Sequence, residues 1–149
     1  MNQDEKWMAM ALNEAEKAKD EGEVPIGAVL IRDDKLIAKS HNQPISTHDA
    51  TAHAEVQLIR LAGKKKRNYR LNESSIYVTL EPCIMCLGSI MNARITRIVF
   101  GSKDYKIGAC AICEDKAYSK NFNHKIIVDS GVLESECSQL LKNFFKAKR

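Results

Sequence analysis

Apolar residues recur every three to four positions at Met8, Ala11, Leu12, Ala15 and Ala18, with charges between them and Gly22 beyond, so the pattern predicts an amphipathic helix over about residues 3 to 20. The period then changes. Pro25 precedes an apolar run at residues 26–31, the polar stretch Arg32-Asp33-Asp34-Lys35 follows, and a second run covers residues 36–39, which reads as a hairpin turning at the Asp pair. A loop over residues 40–50 leads to a second helix, carried by Val56, Leu58 and Ile59 through Leu61, with Thr51 as its predicted N-cap. Residues 75–80, rich in β-branched and aromatic side chains, read as a buried strand. Ile84, Leu87, Ile90 and Met91 form an apolar helix, and residues 97–100 are the next strand, so this part is a β-α-β unit. Residues 114–122 carry no clear period. Residues 124–128 read as a last strand, Gly131 as a turn, and Leu133, Cys137, Leu140, Leu141 and Phe144 as the stripe of a final helix.

Composition bounds this picture. At 149 residues the chain reads as a single domain over residues 1–149 that buries a core without disulfide support. A formal charge of +4 and a pI near 8.8 fit an acidic partner without requiring one. Five cysteines, an odd count, argue for a reducing compartment, and the cytoplasm is expected. The N-terminus carries charges of both signs with no apolar segment after it. The longest uncharged run, residues 82–93, is too short to span a bilayer, so no membrane association is expected.

Two short runs carry chemistry. Thr51-Ala52-His53-Ala54-Glu55 and Leu80-Glu81-Pro82-Cys83-Ile84-Met85-Cys86 together offer one imidazole and two thiols, the ligand types Zn²⁺ prefers, and a carboxylate the ion does not need. Three ligands leave one tetrahedral corner for water, which is the composition of a hydrolytic site. His53 and Glu55 are two apart and point about 200° away from each other in mid-helix. They converge only if His53 sits at the helix start. Pro82 marks the start of the other helix, on which Cys83 and Cys86, three apart, share a face. Both ligand sets are therefore predicted at helix N-termini, where the dipole favours thiolates. His41 and His48 read as ordinary loop histidines, since the ion already has three ligands.

His-x-Glu followed by Pro-Cys-x-x-Cys is the signature of zinc nucleobase deaminases. The surrounding stretches, Glu23-Val24-Pro25-Ile26-Gly27-Ala28-Val29, His41-Asn42-Gln43-Pro44-Ile45, Tyr77-Val78-Thr79-Leu80, Arg97-Ile98-Val99-Phe100-Gly101 and Asn123-His124, narrow the match. In content and order the chain resembles the bacterial tRNA adenosine deaminases over nearly its whole length. The resemblance implies a three-layer α/β/α cytidine-deaminase-like fold, with a central mixed sheet of about five strands flanked by helices. It implies one Zn²⁺ per subunit on His53, Cys83 and Cys86, and Glu55 as the catalytic proton shuttle. The reaction it implies is hydrolytic deamination of adenosine to inosine at the wobble position of a tRNA anticodon stem-loop, by a homodimer that packs through the helix after Cys83. It also assigns substrate contacts to Asn42, Arg70, Asp104, Lys106, Phe145 and Arg149.

Other readings of the same residues stay open at this stage. Asn42 equally suits a residue that orders its own turn. The run Gly63-Lys64-Lys65-Lys66-Arg67-Asn68-Tyr69-Arg70 is either a phosphate contact or a solvated turn. Phe144 fits the core, whereas Phe145 lies beside the stripe. A related deaminase acting on free cytosine, guanine or a cytidine nucleotide would use the same chemistry. A second Cys-x-x-Cys, Cys110-Ala111-Ile112-Cys113, departs from the family pattern and offers a different class: a non-catalytic module with Cys83, Cys86, Cys110 and Cys113 closing a four-thiolate site.

Overall fold

Asn2 starts the first helix: its side chain accepts the Glu5 N–H while the Glu5 carboxylate accepts the Asn2 N–H, a reciprocal cap. The structure, a computed structural model, describes residues 1–120, 122 and 124–149; Asn123 of the family-like Asn123-His124 pair lies outside them. Helix α1 (Gln3–Asp20) ends before Gly22, whose φ of 80° suits glycine. Strands β1 (Gly27–Arg32) and β2 (Lys35–His41) form the expected hairpin. They turn through Asp33 and Asp34 at φ 53° and 57°, a twist that matches antiparallel strands. After a short helix α2 (Pro44–Thr47) comes α3 (Ala54–Lys66), then β3 (Ser75–Leu80), α4 (Ile84–Asn92) and β4 (Arg97–Ser102). A 3₁₀ turn (Cys110–Glu114), α5 (Lys116–Ser119), β5 (Ile127–Ser130) and α6 (Glu134–Ala147) complete the described elements.

The five strands lie in the order β2-β1-β3-β4-β5. β1 is antiparallel to β2 and β3, whereas β3, β4 and β5 run parallel, so the sheet is mixed. Strand alternation divides the core in two. Ala28, Leu30, Ile76, Val78, Ile98 and Phe100 face Leu58 of α3 and Leu87 and Ile90 of α4. Their neighbours Val29, Ile31, Tyr77 and Val99 face Trp7, Met8 and Ala11 of α1 and Cys137 of α6. Each fully buried Leu or Ile adds about 1.5–3 kcal/mol relative to exposure, and neither face is left bare. The three layers follow directly.

Two glycines set how closely helices approach the sheet. A Cβ at Gly27 would run into the backbone of Ala11 and Ala15 on α1; one at Gly101 would run into the Cys137 side chain on α6. At the start of β4, Arg97 joins Asp4 of α1 and Asp129 of β5, with the Tyr77 hydroxyl of β3 donating to Asp4, which ties four elements together.

Several boundaries differ from the sequence expectations. The residue at the N-cap of α3 is His53, and Thr51 instead bonds to Asp49. α3 continues past Leu61 and through Gly63 to Lys66, so much of the basic run is helix. Its last-turn lysines complement the dipole, Lys65 Nζ donates to the Ile37 carbonyl at 2.9 Å, and Arg67 closes the helix in a left-handed conformation. β4 reaches Ser102, and β5 runs Ile127–Ser130, its pairing with β4 starting where the Ile127 N–H donates to the Thr96 carbonyl; His124, before it, places a ring nitrogen 2.7 Å from the Ile95 carbonyl.

Gly27→Ala is expected to lower the unfolding free energy by about 1–3 kcal/mol, because it must push α1 away from the sheet. Gly63→Ala, whose Cβ meets only an ordinary 3.6 Å contact, is expected to raise it by roughly 0.5–1 kcal/mol. Urea unfolding of both variants checks the pair.

Candidate active site

The chain places two helix N-termini at one point beside the C-terminal end of β3. His53, extended at φ −67° and ψ 154°, holds its ring over the start of α3, and Cys83, at φ −76° and ψ 176°, does the same for α4. Neither helix carries a local side-chain cap. For α3 the cap comes from outside. Asn42 is buried just after β2; its N–H donates to the Ile26 carbonyl at 3.0 Å, and its Oδ1 accepts the Ala54 N–H at 2.8 Å. Ser40 Oγ adds a bond to the Ala54 carbonyl at 2.6 Å. The segment between is pinned by Glu23, a buried carboxylate that accepts the Ile45 and Ser46 N–H groups at 3.0 and 2.7 Å. Burial works to raise the Glu23 pKa, but those N–H groups, with His41 nearby, hold it below its ordinary value.

His53 Nδ1 stands 3.6 Å from Cys83 Sγ and 3.5 Å from Cys86 Sγ. A tetrahedral ion with Zn–N near 2.0–2.1 Å and Zn–S near 2.3 Å requires N···S edges of about 3.6 Å. The three side chains are thus already spaced as zinc ligands. All three ligand atoms lie within 4.8 Å of one another, and this is the one metal-capable His/Cys/Asp/Glu group among the described residues. Cys110 and Cys113 are not in it, so the four-thiolate reading loses its geometry.

Burial sets the protonation of these ligands. Burial lowers the His53 pKa, which keeps its imidazole neutral as a ligand must be. Burial, with Glu55 and Cys83 beside it, pushes the Cys86 thiol upward. A metal that takes up the Cys86 sulfur must therefore expel its proton. Glu55 occupies the first turn of α3, only 4 % exposed, and burial pushes its carboxyl up to about 7.

The residues assigned to substrate by resemblance divide into two places. Asn42, Asp104, Lys106, Phe145 and Arg149 line one groove of about 860 Å³ between the loop after β4 and α6. Arg70 does not reach it. Its guanidinium stacks on Tyr69 and lines a separate hollow of about 410 Å³ with Asn92, Arg94 and His124. Within the groove, Asp104 Oδ1 accepts the Lys106 and Ile107 N–H groups and so orders its own turn. Phe145 is 47 % exposed, and Phe144 is half-buried against it at 5.4 Å. Sequence reasoning gave no role to Glu23, Glu81 or Tyr105. Each glutamate acts on backbone N–H groups far along the chain, which no local pattern announces.

Residues 1–102 match the family described as the cytidine and deoxycytidylate deaminase zinc-binding region. The chain is 48 % identical over 147 residues to a tRNA-specific adenosine deaminase of Haemophilus influenzae, covering 98 % of this chain and 85 % of the relative. It is 43 % identical to the tRNA-specific adenosine deaminase of Bacillus subtilis, covering 100 % of this chain and 92 % of the relative. A solved structure from a study of A-to-I editing by tRNA deaminases at the wobble position superposes with a TM-score of 0.83 at 42 % identity, covering 91 % of this chain and 99 % of that one.

Removing the remote cap tests the geometry directly. Asn42→Ala is expected to cost about 1 kcal/mol of stability (range roughly 0.5–2), whereas Asn42→Asp, which keeps the acceptor, retains most of it. Chemical denaturation of the metal-free protein measures both.

Proposed function

The chain belongs to the deaminase family that carries the cytidine and deoxycytidylate deaminase zinc-binding region, alongside the tRNA-specific adenosine deaminases it resembles, and from this we propose that it converts adenosine to inosine at the wobble position of a tRNA anticodon loop. The observation that carries the reading is a buried carboxylate, Glu55, on the same helix turn as one of three side chains spaced for zinc. In this proposal residues 1–149 act as one deaminase domain in the cytoplasm, as a homodimer with one zinc per subunit. All five cysteines are free, and no helix among the described residues is long and apolar enough to cross a membrane. Ile84, at the start of α4 and 64 % exposed, suits a partner-facing position.

The reaction forms a C6–O bond from water, breaks the C6–N bond and releases ammonia. His53, Cys83 and Cys86 would hold zinc, which supplies water of lowered pKa, near 7, at neutral pH. Glu55 takes the proton that water loses on attack and returns protons to ring N1 and to the departing amine. Its burial keeps that exchange away from bulk solvent. Acid-base work of this kind is worth roughly 10²- to 10⁴-fold. The ring atom is unreachable inside a stacked helix, so the target base must be splayed out, which favours a loop over a duplex. Asn42, Asp104, Lys106, Phe145 and Arg149 are the groove residues assigned to hold that loop, and the RNA backbone would be met by the groove's cations. Arg70, in its separate hollow, would meet a more distant part of the stem.

Glu55→Ala is expected to keep zinc at the wild-type level and lose turnover by about 10²-fold or more; His53→Ala and Cys83→Ala are expected to lose zinc as well. Metal quantification together with inosine detection on a treated anticodon stem-loop separates these outcomes, and wild-type turnover in Glu55→Ala removes the carboxylate from the mechanism. Stem-loop affinity is also expected to fall as salt rises, with a shallower slope for Lys106→Ala; filter binding across a salt series gives both slopes.

A further inference from the structure

The loop between β4 and the 3₁₀ turn is unusually well tied down for a surface segment. Glu81, half-buried at the end of β3, accepts the Asp104 N–H on Oε1 and the Cys110 N–H on Oε2, both at 3.1 Å. The Glu81 N–H donates to the Ser102 carbonyl at 2.8 Å, and the Ala109 N–H donates to the Pro82 carbonyl at 3.0 Å. Inside the loop, Asp104 Oδ1 accepts the Lys106 N–H at 3.0 Å and the Ile107 N–H at 3.2 Å, and the Asp104 carbonyl accepts the Gly108 N–H at 3.0 Å. Gly108 is required for this closeness, since a Cβ there would strike the Glu81 carboxyl and the Asp104 carbonyl.

So ordered a loop nevertheless presents an aromatic ring to water. Tyr105, at its tip, is 90 % exposed and adds nothing to either core. It lines the same 860 Å³ groove as Phe145 of α6, and the cations of that groove are Lys103, Lys106, Lys142, Lys146 and Arg149. The one acid lining it, Asp104, has an oxygen committed to its own turn. Exposed ring faces on a rigid frame with cations around them are what single-stranded nucleic acid binds, because every base has a face to stack and every nucleotide a phosphate to neutralise.

Resting on the RNA reading above, the geometry points to Tyr105 as a stacking contact for an unpaired base that flanks the target adenosine, with Glu81 as the positioning residue that holds the Tyr105 loop against the zinc-ligand segment. Glu81 precedes Pro82 and Cys83 in the chain, so one side chain fixes the distance between the groove wall and the reacting centre. The loop arrives already ordered, and binding does not have to order it.

Steady-state deamination of an anticodon stem-loop, with 2-aminopurine replacing each base next to the target in turn, tests this. Tyr105→Ala is expected to raise KM by about 5- to 150-fold, with the loss falling on KM rather than kcat. It should also abolish the quenching of 2-aminopurine that wild type produces at one flanking position. Tyr105→Phe retains the ring and is expected to stay within a few-fold of wild type. Tyr118→Ala, an exposed tyrosine outside the groove, serves as the control and leaves KM unchanged. Glu81→Gln keeps one acceptor and is expected to raise KM while zinc content stays at the wild-type level. Combined with Tyr105→Ala, it should add little further loss, because both act through one contact. A wild-type KM and quenching in Tyr105→Ala overturn the stacking assignment. Additive losses, or loss of zinc in Glu81→Gln, overturn the positioning role. A wild-type enzyme that leaves the stem-loop adenosine untouched overturns the substrate reading itself, and this inference with it.

Discussion

Two helix N-termini meeting within a few ångströms is the constraint on which the rest of the molecule depends. His53 and Cys83 come from different helices on the same face of the sheet, and their ligand atoms must fall on the edges of one small tetrahedron. The sheet achieves this because β1 and β3 are neighbours: β1 leads through the hairpin to α3, and β3 leads directly to α4. The buried face of that sheet, with Leu30, Val78 and Ile98 packed under Leu58 and Leu87, is the rigid floor that keeps the two helix starts in register. A metal site on rigid elements tolerates little play, and here both helices are locked by core packing rather than by their own caps.

Carboxylates do much of the remaining positioning. Glu23 secures the segment that carries Asn42 toward α3, and Glu81 secures the loop that faces α6. Each accepts two backbone N–H groups, and bonds to an ionised acceptor are stronger than neutral ones. The segments around the reacting centre are thus held by groups that take no part in the chemistry.

The legible part of this arrangement was the local part. The positions of His53, Glu55, Cys83 and Cys86 at helix starts could be read from spacing, because residues two apart converge only at a helix end, residues three apart share a face, and Pro82 marks the start of α4. The strands were legible from alternation, since Val29 and Leu30, or Tyr77 and Val78, must face opposite cores. What escaped was tertiary. Thr51 is a residue type that caps helices, yet the cap comes from Asn42, twelve residues before Ala54. The apolar pattern carries the helix only through Leu61, yet it continues to Lys66, with Lys65 bonded to the Ile37 carbonyl and Arg67 closing it. Arg70 and Phe145 were grouped by resemblance, and only the folded chain separates their surroundings.

The close contact between Gly101 and Cys137 works as a fulcrum. It pins the first half of α6 to the sheet, while the distal turns, from Leu141 to the last residue, project as a cantilever along the groove. Changes of charge along those distal turns would alter the groove wall without disturbing the hydrophobic layers, whereas a methyl added at the pivot would swing the whole arm. Such a division separates the groove wall, mechanically, from the layer that carries the ligand residues.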